Sequence, residues 1–424
     1  CANTTACHNT AVGICALKTN TTGPQNTAVG ACSLNDNTTG GYNAALGKQT
    51  LEHNVAGEGN VGIGYQTLCS QNNSAADYNT GNGYRALRLN ISGNNNTGIG
   101  KEALCANTTA DDNTAVGSLS LSANTTGNRN VAVGKNALLS NTTGVNNTAV
   151  GWEAGCKITD SVGNSAFGYE ALQDTTTGDA NTAIGYRALC GNSTASNNTA
   201  IGTCSLKVNT TGTANVAIGV DSLKLNTTAS NNVAIGKDAL TANTTGAANN
   251  AVGQQSLFAN TTGANNVSVG CRSMCANTTG CCNVALGRNS LDDNTTGGSN
   301  TAIGFNALDG NTTGGCNTAV GCNAMGTNAM TGDFNSSLGA NALQKITSGS
   351  QNTGVGDGAG LCVTTGDNNL LLGKHAGRST SPSGTLDTQD NRIVLGDNNI
   401  TDAYIKVDWT VTSDARDKTN FGTV

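Results

Sequence analysis

The sequence predicts an all-β chain: a parallel β-solenoid, of the β-roll or β-helix kind, with 22 rungs and a seventeen-residue period. Three observations predict it. A glycine closing an Asn-Thr-Ala-Val-like phrase stands at Gly13, Gly30, Gly47, Gly64, Gly83, Gly100 and Gly117. It then returns every seventeen residues through Gly321, and again at Gly339, Gly356 and Gly373. The residue before it is Val, Ile, Leu or Phe in every rung but one, where Asn82 stands. Asn occupies the position four before it in all rungs, from Asn9 to Asn369. A composition of 57 Gly, 11% charged and 3% aromatic residues would also suit a disordered chain. Disorder, however, gives no reason to hold an apolar residue in register over such a length.

Within a rung, the phrase ending in glycine alternates as a short strand does. The aliphatic residue before the glycine, as in Val133, Ile184 and Ile235, is expected to face a core. The Leu or Met four residues after it (Leu104, Leu138, Leu240, Met274) is a second core position. Gly155, Gly360 and Gly377 replace it in three rungs, which are expected to be thin or irregular. Stacked parallel at about 4.8 Å, the rungs make a rod on the order of 100 Å long. The recurring amides, among them Asn113, Asn130, Asn147, Asn181, Asn215 and Asn232, are expected to form a structural Asn ladder. The glycine itself marks a corner where a side chain would clash or φ is positive.

The residue two before the glycine is Ala, Gly or Ser almost throughout (Ala11, Ala28, Gly98, Ala115, Ser268, Ala302). Such enforced smallness implies a close neighbour, either another wall of the tube or another chain. Two large aliphatics per rung are little against the entropy of ordering seventeen residues. That balance favours a homo-oligomer, closed as a symmetric ring.

The phrases NVAIGVDSL (215–223), NVAIGKDAL (232–240) and NTAVGSLSL (113–121) resemble the repeat of trimeric autotransporter adhesin heads. The resemblance covers residues 9–373, with a period longer than is usual in that family. It implies a trimer of left-handed β-rolls packed side by side.

Seven residues after the glycine the chain usually reads Asn-Thr-Thr-Gly, which makes a sequon. Asn107, Asn124, Asn141, Asn209, Asn226, Asn243, Asn260, Asn277, Asn294 and Asn311 are the candidate N-glycosylation sites. The competing reading is turn chemistry, supported by Thr177, Ser348 and Thr365, which persist where the Asn is lost. Thr rows also raise a minor ice-binding alternative. Tyr169 and Tyr186, on adjacent rungs, are candidates for stacking on a sugar.

Of 16 Cys, Cys15 and Cys32 share a rung position and could bridge. Cys69, Cys105, Cys156, Cys190 and Cys275 occupy a position otherwise polar, and exposure is expected for them. His8, His53 and His375 are isolated, so neither metal nor cofactor is expected. A net charge of -6 with scattered Lys and Arg argues against a nucleic-acid partner. No run of eighteen apolar residues predicts a membrane span.

The solenoid is expected over residues 1–373, with an irregular cap and a final strand over 374–408. From Trp409 the segment with Ser413, Asp414, Arg416, Lys418 and Asn420 resembles the opening of the intramolecular chaperone of phage tail spikes and fibres. The resemblance implies self-cleavage at Ser413 with Lys418 as base, inactive here because only the opening of that domain (409–424) is present. Apart from that single turnover, no enzyme is expected. Together these features point to the shaft of an extracellular or virion-surface fibre, a phage tail fibre or adhesin. Its partners would be copies of itself and a host-surface glycan or protein receptor. An N-glycosylated cell-surface filament is the alternative.

Overall fold

The computed structural model describes residues 4–71, 76–326, 329–402 and 404. Strands of three residues, from β1 (Thr10–Val12) to β23 (Ile393–Leu395), make one 23-stranded sheet. Each strand pairs in parallel with the next in sequence. Register follows the sequence period: in β11 (Thr182–Ile184) and β12 (Thr199–Ile201), Thr182 lies opposite Thr199, Ala183 opposite Ala200 and Ile184 opposite Ile201. No helix occurs among the described residues. The final strand extends the ladder beyond the last regular glycine, with Leu371 opposite Val394.

Each strand ends at the repeat glycine for two reasons. Gly185 sits at φ +137°, a conformation that disfavours L side chains. A Cβ there would also lie 2.6 Å from the carbonyl oxygen of Gly202 on the next rung. Beyond the glycine the backbone turns through alternate left-handed residues, such as Arg187 (φ 54°) and Leu189 (φ 52°). Inter-rung bonds hold them there: Arg187 N donates to Tyr169 O and Leu189 N to Ser205 O, both at 2.9 Å. The stack therefore imposes a geometry that an isolated rung would not adopt.

The inside of the tube reverses one expectation. Ile184 and Ile235 are 41% and 37% exposed, whereas Ala183 and Ala234, immediately before them, are fully buried. The aliphatic row faces outward, and the small row is the core. The neighbour that enforces smallness is the opposite wall of the same tube: a Cβ on Gly98 would lie 3.1 Å from Leu87 Cγ. The Leu and Met row four residues past the glycine (Leu104, Leu138, Leu240, Met274) is buried as expected. A tube this thin has room for one large apolar side chain per rung, and Leu supplies it.

The rungs lacking that Leu are refilled instead of thinned. Gly155 keeps the left-handed turn, and Ile158 from the next corner enters, its Cδ1 3.1 Å from where a Gly155 Cβ would be. Val363 is likewise buried one corner beyond Gly360. Leu371, the one large residue in the small row of the 22 repeats, stands between Gly360 and Gly377 and reaches toward both. Volume is conserved across rungs even where sequence is not.

The other half of the cross-section is polar. Asn130 Oδ1 accepts the backbone N–H of Asn147 at 3.0 Å, and Asn113 Oδ1 that of Asn130 at 2.9 Å. Asn130 Nδ2 crosses the interior to the carbonyl of Gly144 at 2.8 Å. From the Asn-Thr-Thr-Gly corner, Asn141 Nδ2 donates to that same carbonyl at 3.1 Å. Two amide columns thus converge on one row of carbonyls, and most buried amides satisfy one another; where the corner column is interrupted, as by Ile158 after Asn141, the preceding Oδ1 is left without a partner.

Candidate functional surfaces

The candidate glycan acceptors form the second amide column. Asn124 Nδ2 donates to Asn107 Oδ1 at 3.0 Å, and Asn141 Nδ2 to Asn124 Oδ1 at 2.9 Å. The pattern continues through Asn209, Asn226, Asn243, Asn260, Asn277, Asn294 and Asn311. All ten are fully buried. A glycan on Nδ2 would occupy the interior and remove these bonds, so glycosylation at these positions conflicts with the fold. The adjoining Thr is committed too: Thr108 Oγ1 donates to Thr125 O and Thr125 Oγ1 to Thr142 O, both at 3.0 Å. The second Thr of the pair is the one left exposed and uncommitted, as at Thr109 and Thr126. One free hydroxyl per rung is a poor match to the paired rows of an ice-binding face.

The aromatic residues after the glycine do more than Tyr169 and Tyr186 alone implied. Trp152 stacks on Tyr169 (centroids 4.8 Å, planes 12° apart), and Tyr169 on Tyr186 (5.2 Å, 12°). The stack places their faces against one another, so a sugar cannot lie on Tyr169; only the outer faces of Trp152 and Tyr186 are left. Polar groups flank it: Glu170 pairs with Arg187 Nε at 2.9 Å, and Gln173 Nε2 donates to Glu153 at 2.7 Å. A hydrogen bond to Glu170 pushes the Tyr169 hydroxyl pKa up. A second stack, Tyr65 on Tyr84 at 5.6 Å, carries Arg85 over the Tyr84 ring at 4.9 Å.

The outward face of the sheet runs along all 23 strands. Its two rows, for instance Thr182 and Ile184 in β11, hold no Asp, Glu, Lys or Arg in any of the 23 strands. The whole chain has 21 Lys and Arg and 27 Asp and Glu, all placed elsewhere. An apolar groove on this face is lined by Val29, Leu46, Val61 and Ile63. No family model matches the chain, and no curated protein is detectably similar to it.

Cys15 and Cys32 are both free thiols, in register on neighbouring rungs. Cys190 is buried, and Cys69, Cys105, Cys156 and Cys275 are half-buried, so none of the five has the full solvent exposure expected for it. Burial pushes the thiol pKa up at Cys69, Cys156, Cys190 and Cys275, which blunts their reactivity. On this corner Asp292 pairs with Arg272 at 2.9 Å, and Asp309 on the next rung is raised to about 6 by burial and by Asp292 and Asp293. His53 Nδ1 bonds Asp36 at 2.6 Å across rungs. Among the described residues no group of three or more His, Cys, Asp or Glu has metal-binding geometry. Among these described residues no helix is long and apolar enough to cross a membrane either. Ser413 and Lys418 lie outside the described residues.

Proposed function

We propose that this chain is the shaft of a homo-oligomeric fibre on a virion or cell surface, holding an attachment element away from the particle that carries it. The observation that carries this reading is the uncharged outer face running the length of the sheet, in which one row is aliphatic apart from Asn82 and Phe167 and the other is mostly Thr, Val and small residues. Contiguous apolar surface of this extent is characteristic of interaction sites. A partner that covers it must repeat with the same rise, about 4.8 Å per rung. A second copy of the chain meets that requirement by construction. A ring of three is the closure that the adhesin-head resemblance favours. Attachment to a host glycan or protein is the companion proposal, with the Trp152 and Tyr186 outer faces as the candidate sugar contacts.

Outward substitutions test the reading. Ile184→Asp with Ile235→Asp places two carboxylates on the face without touching the interior. Native mass spectrometry of the wild-type chain should give three chain masses. The double variant should keep its far-UV circular dichroism and appear as a monomer. A wild-type monomer at micromolar concentration would remove the fibre reading.

A further inference from the structure

The two edges of the apolar face differ in charge. Directly after the repeat glycine stand Lys48, Lys101, Lys135, Lys237, Arg288 and Lys374, against a single acid, Asp357. On the opposite edge, six residues before the glycine, stand Glu58, Asp77, Asp111, Asp179, Asp333 and Asp367, with no Lys or Arg in any rung. Part of this acidity is structural. Asp111 Oδ1 accepts the backbone N–H of Asn94 at 2.7 Å, and Asp179 Oδ1 that of Val162 at 2.7 Å. Each of these carboxylates keeps a second oxygen. The basic edge has no such backbone duty, so its sign is unexplained within one chain.

Geometry restricts how two such faces can meet. If copies are related by rotation about an axis along the rod, each basic edge lies against the acidic edge of its neighbour. If they run antiparallel through a perpendicular two-fold that leaves the edges in place, basic meets basic and acidic meets acidic. Like charges facing each other along an interface are costly. In the rung of β22 (Leu370–Leu372), Asp367 and Lys374 stand at the two edges of one level, so rotation pairs them directly.

One rung adds a chemical marker. β19 (Thr318–Val320) has Cys316 beside its acidic edge, one position after Gly315 of that column, and Cys322 on its basic edge, and both thiols are exposed. No other strand among the described residues has an exposed cysteine on each edge. Cys282 faces across its rung to Arg288, and Cys271 to Asn265.

We propose that the chains associate in parallel around a common axis, basic edge to acidic edge, and that Cys316 of one copy forms a disulfide with Cys322 of the next. This rests on the fibre reading above and specifies its contacts. The oxidant is a small-molecule disulfide such as glutathione disulfide. One cysteine thiolate attacks it and releases one glutathione thiol. The neighbour's thiolate then displaces the second glutathione, so two protein thiols become one disulfide. Around a ring, every copy gives one Cys316 and one Cys322, and no thiol of this rung is left over.

The test is oxidation of the full chain with glutathione disulfide at native concentration. It is read by non-reducing denaturing electrophoresis, by peptide mapping and by native mass. The expected result is a covalent band at the mass of the native oligomer, carrying a Cys316–Cys322 linked peptide. Cys316→Ser or Cys322→Ser should abolish the covalent band while leaving the native mass unchanged. Cys282→Ser and Cys271→Ser should leave both unchanged. An intact oligomer with no such peptide, or with Cys316 linked to Cys316, overturns the edge pairing and leaves the fibre reading standing. A native mass of one chain overturns both.

Discussion

The two Asn columns differ in how much they tolerate, and single hydrogen bonds explain it. In the column four before the glycine, Oδ1 accepts a backbone N–H: that of Asn232 reaches Asn215 Oδ1 at 3.0 Å. Losing this amide strands a buried main-chain donor, which costs about 1–3 kcal/mol on top of the lost bond. In the corner column the amides serve mainly each other and a carbonyl already held from the other side. There Thr175, Ile158, Ile346 and Val363 stand in for Asn. Asn215→Ala should therefore lower stability by about 2–4 kcal/mol, and Asn209→Ile by less than about 1.5 kcal/mol, in urea unfolding followed by circular dichroism. Equal losses would refute the assignment. Asp309 supplies a pH signature. Its folded pKa of about 6 lies above the ordinary 3.8, so the folded state holds this proton more tightly than the unfolded chain. The contribution of this group is then fully present below about pH 4 and is lost as pH rises through 6. Asp309→Asn should raise the thermal midpoint at pH 8 and leave it unchanged at pH 4. Allowing for solvent screening, the gain is about 1 kcal/mol.

At the scale of the element, a three-residue strand would be negligible alone, and its neighbours hold it in place. Adjacent residues in β11 carry opposite duties. Ala183 fills the interior, where Ala183→Leu would overpack the tube and cost about 1–3 kcal/mol or more. Ile184 faces out, and Ile184→Asp should leave monomer stability within about 0.5 kcal/mol. Gly185 then closes the strand. Gly185→Ala would meet both the Gly202 carbonyl and an unfavourable φ, for a loss of about 2–4 kcal/mol. Thermal melts of these three variants check the order. Ala183→Leu proving harmless while Ile184→Asp unfolds the monomer would reverse the inside and outside of the tube.

For the molecule as a whole, repetition converts small local preferences into long rows. One outward Ile is ordinary surface; an apolar row along 23 strands, broken only by Asn82 and without a charge, is the continuous surface on which the fibre proposal rests. Repetition also sorts charge. An acid that suits a backbone N–H at one corner recurs there, and the opposite corner is left to the cations. Because each rung touches only its neighbours, stability is a sum of rung and interface terms. Lateral association would then stabilise every rung along the rod.

The period, the parallel register, the Leu column and the Asn column were legible in the sequence because each is a one-dimensional fact: the same residue recurring at the same spacing. The final strand at residues 393–395 falls outside that spacing and was legible instead from the phrase Asn391 to Gly396, which resembles the phrases of the earlier strands. Which face of the strand points inward was not. Alternation separates Ala183 from Ile184 but does not say which side is core, and apolar size argues for the wrong one. The tertiary structure decides it through the width of the tube: with Leu189 inside, only a methyl fits beside it. The same closure buries the corner Asn residues, which as sequence are indistinguishable from surface sequons. It also presses Trp152, Tyr169 and Tyr186 face to face at the spacing of the rungs. Sequence spacing determines which residues form a row; the closing of each turn on the one before decides whether that row meets the interior or the solvent.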